Sequence, residues 1–449
     1  MQRATTLDGI MKALAPAPLS RDELPEFFEE TAEARDPNLP RRVEIAQCLS
    51  GDDNTKILVY GHPGTGKSTE LVKFQQENDK DYATVSFSLI KEAQLSQASI
   101  EVLLVLIVES ILRQGHEQLG LSMKEDTLKA IYGWFSEAFD IREEDLKYTG
   151  EIGASADTGT TFWGKLLGVG VHLKADIKTG SNTIHRCITK ENKRLSELAN
   201  QCNVLVREAR IAIKKQLGRE LLLIVEDLDK VTILAADEIF LQNPAPLSDL
   251  ACKAIFTAPI ALMCTPRSSA LDAEFKKVSI PMIKVAEQDG LRCDRGIAAI
   301  RAILDHRLDV DSLIEAKALT LAIEKTAGVL RHLFDVLTTA SQAASHAASA
   351  GGRKEKRITE RDVRYGLDRL RGDLVRRIGV VGLPAEYKEY DITVEKMYQR
   401  LREILEKRRT VQSDPINLLL LQSQALIEYN GKNWHAVHPL IEEYLRETQ

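Results

Sequence analysis

Two short segments carry the residue types and spacings that could do chemistry. The first is Gly61-His-Pro-Gly-Thr-Gly-Lys-Ser68, which fits G-x-x-x-x-G-K-[ST] at every fixed position. Its glycines let backbone N–H groups turn inward around a phosphate with no Cβ in the way. A helix opening at its end would add the positive end of its dipole. Lys67 has the reach and charge for β- and γ-phosphate oxygens, and the Ser68 hydroxyl suits Mg²⁺. The run Gly61, His62, Pro63, Gly64, Thr65, Gly66, Lys67, Ser68 and Thr69 is therefore the expected cradle for ATP·Mg²⁺, or for ADP after hydrolysis.

The second segment is Leu221-Leu-Leu-Ile-Val-Glu-Asp-Leu-Asp229, an apolar run that ends in clustered carboxylates. A strand beside the phosphate loop must bring a carboxylate to the metal, and hydrolysis needs another group to orient water. Glu226 and Asp227, with Ser68, are the expected metal residues. The preferred assignment puts Glu226 on the metal side and Asp227 on the water, with the exchange of roles open. Asp229 reads as a helix cap or local structural partner.

The elements that must position these groups alternate. Strands are expected at Lys56–Tyr60, Ala83–Ser88, Leu221–Val225, Ala254–Ala258 and near Val278–Val285, and helices at Ser68–Gln76, Gln97–Arg113 and about Thr183–Leu217. Strands alternating with helices imply a parallel sheet covered on both faces. Residues 118–183 form an insertion. Within it, hydrophobics at roughly alternate positions from Thr160 to Leu173 predict a β-hairpin. That hairpin would expose Phe162, Trp163, Leu166 and Leu167 to a partner, to DNA or to another copy, unless they pack back on the core.

Residues 288–372 read as all helix. A last unit over 380–449 has a helix at Leu418–Leu426 and a hairpin signal at Asn430-Gly431. The hairpin pairs Leu426–Tyr429 with Lys432–Val437, sets Ile427 opposite Trp434, and is followed by a helix opened by Pro439. From 381 to 449 nine Lys and Arg stand against eleven Asp and Glu. That balance speaks against a simple DNA-reading face, although Arg408, Arg409 and Lys432 could make a small basic edge.

In this order the motifs resemble the AAA+ ATPases of the origin-recognition and initiator type, in a bacterial branch, over most of residues 36–372. Pro40-Arg-Arg-Val-Glu is similar to the segment that lies near the adenine in that family, which implies a nucleotide contact for Arg42. The resemblance implies that Thr257, on the Ala254–Ala258 strand, acts as sensor 1. In Thr326-Ala-Gly-Val-Leu-Arg-His-Leu-Phe334 it implies a γ-phosphate contact for Arg331, as sensor 2. Arg267 is the implied arginine that completes a neighbouring subunit's site. Arg357-Ile-Thr-Glu-Arg-Asp resembles the start of the last lid helix, capped by Thr359 and Asp362.

The implied fold is α/β: a P-loop NTPase (AAA+) parallel-sheet core over 1–287, an all-helical lid over 288–372 and a winged-helix-like domain over 380–449. The implied function is an ATP-binding, ATP-hydrolysing switch that closes its lid and assembles with itself or recruits a partner. A DNA transaction or a bacterial defence-type regulatory role is its setting. The alternative is a nucleotide-sensing interaction protein with negligible turnover.

Bulk composition fits. Hydrophobic residues make up 44% and charged residues 28%, with a formal charge of −6, so wholesale electrostatic binding of nucleic acid is not the default. Six cysteines without a C-x-x-C spacing suggest neither a zinc knuckle nor a redox pair, and read as core residues of a reducing compartment. The longest apolar stretch, Ile100–Leu112, is interrupted by Glu101 and Glu109 and is shorter than the roughly 20 residues a membrane span needs. No apolar leader follows Met1, and the expectation is a cytoplasmic protein without membrane contact.

Overall fold

A computed structural model describes residues 2–36, 40–142, 161–179, 193–349, 356–379, 390–407, 414–429 and 434–448. Its centre is a five-stranded sheet, β1 (Lys56–Tyr60), β2 (Tyr82–Ser88), β3 (Glu220–Glu226), β4 (Lys253–Ala258) and β5 (Lys276–Ser279). The order is β2-β3-β4-β1-β5, with every pairing parallel. Successive residues of the apolar strands serve opposite faces. Leu58, Leu221, Leu223, Val225, Ala254 and Phe256 join the core under helices Ile100–Glu117 and Lys193–Leu217. Ile57, Val59, Leu222, Ile224 and Ile255 join Ile45, Leu49, Leu71 and Phe74 of helices Arg41–Gly51 and Lys67–Glu77. This is the α/β architecture of a P-loop NTPase. Its parallel strands bring Gly61, Ser88 and Glu226 to one edge of the sheet, the edge where open α/β sheets bind ligands.

β5 is shorter than the sequence implied. Ile280 still donates to the Tyr60 carbonyl (2.7 Å), but Pro281 has no N–H to continue the ladder. Met282, Ile283 and Val285 are buried instead against the lid and the C-terminal unit.

The expected hairpin at 160–173 is a helix, Phe162–Thr179. Its buried positions, Trp163, Leu166, Leu167, Gly170, Leu173 and Ile177, follow a helical repeat. Gly170 of this helix and Gly115 of helix Ile100–Glu117 are close-approach points between helices. A Cβ on Gly170 would stand 3.2 Å from Glu109 Cβ, and one on Gly115 would stand 3.5 Å from the Trp163 ring. Trp163 also donates its indole N–H to the Leu112 carbonyl (3.3 Å). Trp163, Leu166 and Leu167 are therefore buried and Phe162 half-buried, and they offer no apolar loop to a partner. The tract before Thr161 lies outside the described residues.

Helices Asp294–Arg307, Ala316–Lys325, Leu330–Ser349 and Glu360–Arg377 share a second core with the N-terminal helix Leu7–Ala13 and with Leu418–Leu421 and Leu440. Thr359 and Asp362 form a capping box at the start of Glu360–Arg377. In the C-terminal unit, β6 (Leu426–Tyr429) pairs antiparallel with β7 (Trp434–Val437), and helix Pro439–Glu447 follows. Tyr429, not Ile427, stands opposite Trp434, while Ile427 faces Ala436. The shift of two residues keeps every side chain on its face and puts the two aromatic rings 4.8 Å apart, a favourable cross-strand pair. Asn430-Gly431, Arg408, Arg409 and Lys432 lie outside the described residues. Among the described residues, no helix is long and apolar enough to cross a membrane.

Trp163→Ala is expected to cost roughly 3–5 kcal/mol of unfolding free energy, the range for emptying a large buried aromatic site. Chemical denaturation followed by circular dichroism measures it; a loss under about 0.5 kcal/mol, the size of a surface change, contradicts the buried helix.

Candidate nucleotide site

At the β1 edge the chain turns through Gly61 (φ 151°), Gly64 (φ 87°) and Gly66 (φ 93°) into helix Lys67–Glu77. Two of these glycines are required by space as well as by φ. A Cβ on Gly61 would stand 2.4 Å from the Ile280 carbonyl oxygen, and one on Gly64 would stand 2.8 Å from Arg331 Cβ. The first-turn amides of helix Lys67–Glu77 have no intrahelical acceptors, so they offer an anion a set of donors.

Lys67 is almost fully buried. Its ammonium bonds the carbonyls of Gly61 and His62, each at 2.9 Å, and pairs with Asp229 Oδ2 at 2.8 Å. Asp229, read from sequence as a helix cap or local structural partner, is thus the carboxylate that holds this lysine. It sits in the short 3₁₀ turn Leu228–Lys230, immediately after β3.

Glu226 lies beside Ser68. Burial, reinforced by the charges of Asp227 and Asp229, pushes its carboxyl up to about 7 against the opposing effect of the Ser68 hydroxyl. Asp227 adopts a left-handed conformation (φ 68°). Its carboxylate accepts from the Ser88 hydroxyl and pairs with Lys230 Nζ at 2.5 Å.

These groups line one cleft of about 390 Å³ between the P-loop and the lid. Its size falls within the roughly 300–1,000 Å³ range of small-molecule sites. Gly64, Gly66, Lys67, Ser68, Thr69, Glu226, Asp227, Asp229 and Arg331 all reach it. Arg331 belongs to helix Leu330–Ser349, whose first turn rests on Gly64. The cleft has a polar end at these residues and an apolar side built from Pro16, Pro18, Leu19, Phe27, Phe28 and Phe334. That combination suits a triphosphate joined to a flat base.

Several expected residues do not reach the cleft. Arg42 is held by Glu30, Glu70 and Glu77 (3.1 Å to Glu77), so its guanidinium is committed to protein carboxylates. Arg267 pairs with Asp237 at 2.9 Å. Thr257 is buried under the acidic turn, where its hydroxyl accepts the Leu228 N–H at 3.0 Å. His62 and Pro63 face the C-terminal unit. His62 Nε2 accepts the Glu428 N–H (2.8 Å), and Gln424 Nε2 donates to the Pro63 carbonyl (3.1 Å). Burial, then the Lys67 charge, lowers His62 to about 3, so the imidazole is neutral and free to accept. Thr65 turns its carbonyl to Arg35 (2.6 Å).

Sequence reasoning missed the N-terminal wall, together with Arg35, Ser88, Lys91 and Arg307, all of which line the cleft. Arg307 stacks on Phe334 (5.0 Å to the ring centre).

The donor set suits a divalent cation. Ser68 and Glu226 lie side by side at the cleft, and Glu226 is a half-buried carboxyl whose raised pKa reflects desolvation and the neighbouring Asp227 and Asp229 charges. Both are hard oxygen ligands, the kind Mg²⁺ takes together with phosphate oxygens.

No family model matches the sequence, and no curated protein matches it. Among solved structures, a Walker-type ATPase of Pyrococcus abyssi aligns over 97% of this chain and 99% of its own, with 13% identity and a TM-score of 0.41. Cdc6p of Pyrobaculum aerophilum aligns over 97% and 98%, with 11% identity and a TM-score of 0.38. At such distances the functional reading rests on the site itself.

The raised Glu226 pKa has a definite sign. The folded protein binds the proton more tightly than the unfolded chain, so its contribution to stability is full below the ordinary carboxylate value and is lost as pH rises through about 7. Glu226→Gln is therefore expected to raise the melting temperature of nucleotide-free protein at pH 8 and to change it little at pH 5. Equal shifts at both values, read by scanning calorimetry, would refute the buried-charge account.

Proposed function

We propose that this chain is an ATP·Mg²⁺-dependent switch of the AAA+ kind, in which nucleotide is gripped by the P-loop and sensed by the lid. The observation that carries the reading is the convergence of Lys67, Ser68, Glu226, Asp227 and Arg331 on one cleft, with the Arg331 turn seated on Gly64. Lys67 would exchange its Asp229 partner for β- and γ-phosphate oxygens, while the carbonyls of Gly61 and His62 keep it in place. Ser68 and Glu226 would hold Mg²⁺, which when bound neutralises phosphate charge and orients the phosphate oxygens. Arg331 would give ATP and ADP different affinities for the closed lid, and that difference is all a ligand can use to shift a two-state equilibrium. The apolar N-terminal wall would receive the base.

Nucleotide-dependent assembly with further copies or with a partner belongs to the same reading. Arg267 is then the residue to offer across a subunit boundary, after release from Asp237. The small C-terminal unit, winged-helix-like in its helices and hairpin, is proposed as the output element. Its backbone and Gln424 bond His62 and Pro63, so a phosphate-driven change in the P-loop has a direct path to it. DNA is one partner class for this unit; its acidic balance favours a protein.

A second reading, a sensor with negligible turnover, is favoured by one observation. Asp227, the group assigned to the water, is tied by Ser88 and Lys230 in a left-handed turn. A general base held by two donors is a weak one.

Lys67→Ala is expected to weaken ATP binding by at least about tenfold, or ~1.4 kcal/mol, in titration calorimetry. Unchanged affinity would sink the nucleotide reading altogether. Phosphate release by wild type and by Asp227→Asn separates the two forms of it. A clear wild-type rate that the variant loses identifies a hydrolase. Equal background rates with ATP still bound identify a sensor.

A further inference from the structure

Behind the P-loop, on the side away from the cleft, a second cluster of chemically capable side chains joins the nucleotide core to the C-terminal hairpin. Cys264 follows β4 and the short helix Ile260–Met263. Glu428 and His435 stand directly opposite each other on β6 and β7, so both side chains project from one face of the hairpin. A thiol sulfur, a carboxylate oxygen and an imidazole nitrogen from these three all lie within 4.8 Å of one another. Glu428 and His435 are buried, and Cys264 is half-buried.

We propose that Cys264, Glu428 and His435 bind a zinc ion that clamps the C-terminal hairpin to the nucleotide core. Zinc takes sulfur at about 2.3 Å and nitrogen or oxygen at about 2.0–2.2 Å, so tetrahedral ligands stand roughly 3.3–3.8 Å apart. Coordination would bring the three groups, now within 4.8 Å of one another, to that spacing. The mixed soft and hard donor set selects zinc over magnesium or calcium, which prefer all-oxygen cages. A fourth position remains for water, as in other three-ligand zinc sites.

The three ligands come from two parts of the chain, Cys264 from the segment after β4 and Glu428 and His435 from the hairpin. A dication is the species that lets a thiolate and a carboxylate coexist there, and its binding would release the thiol proton to solvent. None of this was visible in cysteine spacing, because the ligands are far apart in sequence and meet only when the hairpin docks. The site also bears on the P-loop, since the Glu428 N–H is the group that His62 accepts. The inference does not depend on the nucleotide reading, because neither Cys264 nor His435 lines the cleft.

The test uses the full chain. Protein expressed with zinc in the medium should carry stoichiometric zinc by elemental mass spectrometry, and a chelator should lower its melting temperature. Titration of the metal-free wild type with Co²⁺ should produce a thiolate-to-cobalt charge-transfer band. Any cobalt at Ser68 and Glu226 cannot give that band, because no thiol is present there. Cys264→Ser should abolish the band while ATP affinity is retained, and His435→Ala should weaken cobalt binding at least about tenfold. Absence of the band with wild type in excess cobalt overturns the proposal, as does a band that survives in Cys264→Ser. If either variant fails to fold, competition between the wild type and a zinc-binding dye decides: the protein must take zinc from the dye, and failure to do so rejects the site.

Discussion

The buried ammonium of Lys67 is the interaction on which the rest of this site depends. It satisfies the carbonyls of Gly61 and His62 and the carboxylate of Asp229 at once, all at 2.8–2.9 Å. A charge this deep survives only when paired and hydrogen-bonded. Its partners come from the loop after β1 and the turn after β3, so one side chain fixes the spacing between two strand ends that are not neighbours in the sheet. The strand between them, β4, contributes the Thr257 hydroxyl that bonds the Leu228 N–H and holds the acidic turn from below. With Asp229 and Thr257 committed to this framework, Glu226 and Asp227 are the carboxylates of the β3 end left at the cleft. One lies beside Ser68 and the other is bonded by Ser88 and Lys230.

The P-loop is contacted from two directions. On the cleft side, Arg331 and Val329 sit so close to Gly64 that any side chain there would collide with them. On the opposite side, Gln424 and the Glu428 backbone reach Pro63 and His62, and Tyr429 bonds the Ala327 carbonyl (3.2 Å) beside the same lid turn. Met282, Ala327, Val329, Ile427 and Tyr429 form a small apolar cluster where core, lid and C-terminal unit meet. A close-packed junction of this kind does not deform gradually; a shift in one element has to be matched by its neighbours.

Much of the fold was legible because it is local. A glycine-rich turn between an apolar strand and a helix, and an apolar strand ending in carboxylates, are patterns set by the sterics and burial of adjacent residues. The capping box at Thr359 and Asp362 was legible for the same reason. What escaped was decided by distant partners. The tract after Thr161 looked like a strand because its hydrophobics fall at roughly alternate positions, yet it is a helix in which Gly170 lets Glu109 approach. Arg42 has the right type and place for a nucleotide contact, but Glu30, Glu70 and Glu77, brought together only by the fold, hold it elsewhere. The hairpin register followed the aromatic pair Tyr429 and Trp434 rather than the turn signal.

The N-terminal segment makes the same point about the site itself. Residues 16–35 have little regular structure, and nothing in their spacing marks them as ligand-facing. They nevertheless supply Pro16, Pro18, Leu19, Phe27 and Phe28 to the cleft and the Arg35 guanidinium to the carbonyls of Thr65 and Pro281. Arg35 thereby ties the cleft's apolar wall to the P-loop backbone, while helix Leu7–Ala13, just before that wall, packs on lid helix Leu330–Ser349. The wall is therefore linked to both bodies that bound the cleft. In the switch proposed above, an opening large enough to admit a nucleotide would have to move this segment with helix Leu330–Ser349 or strain its Arg35 bonds to the P-loop. The N-terminal segment would then control access to the cleft together with that helix.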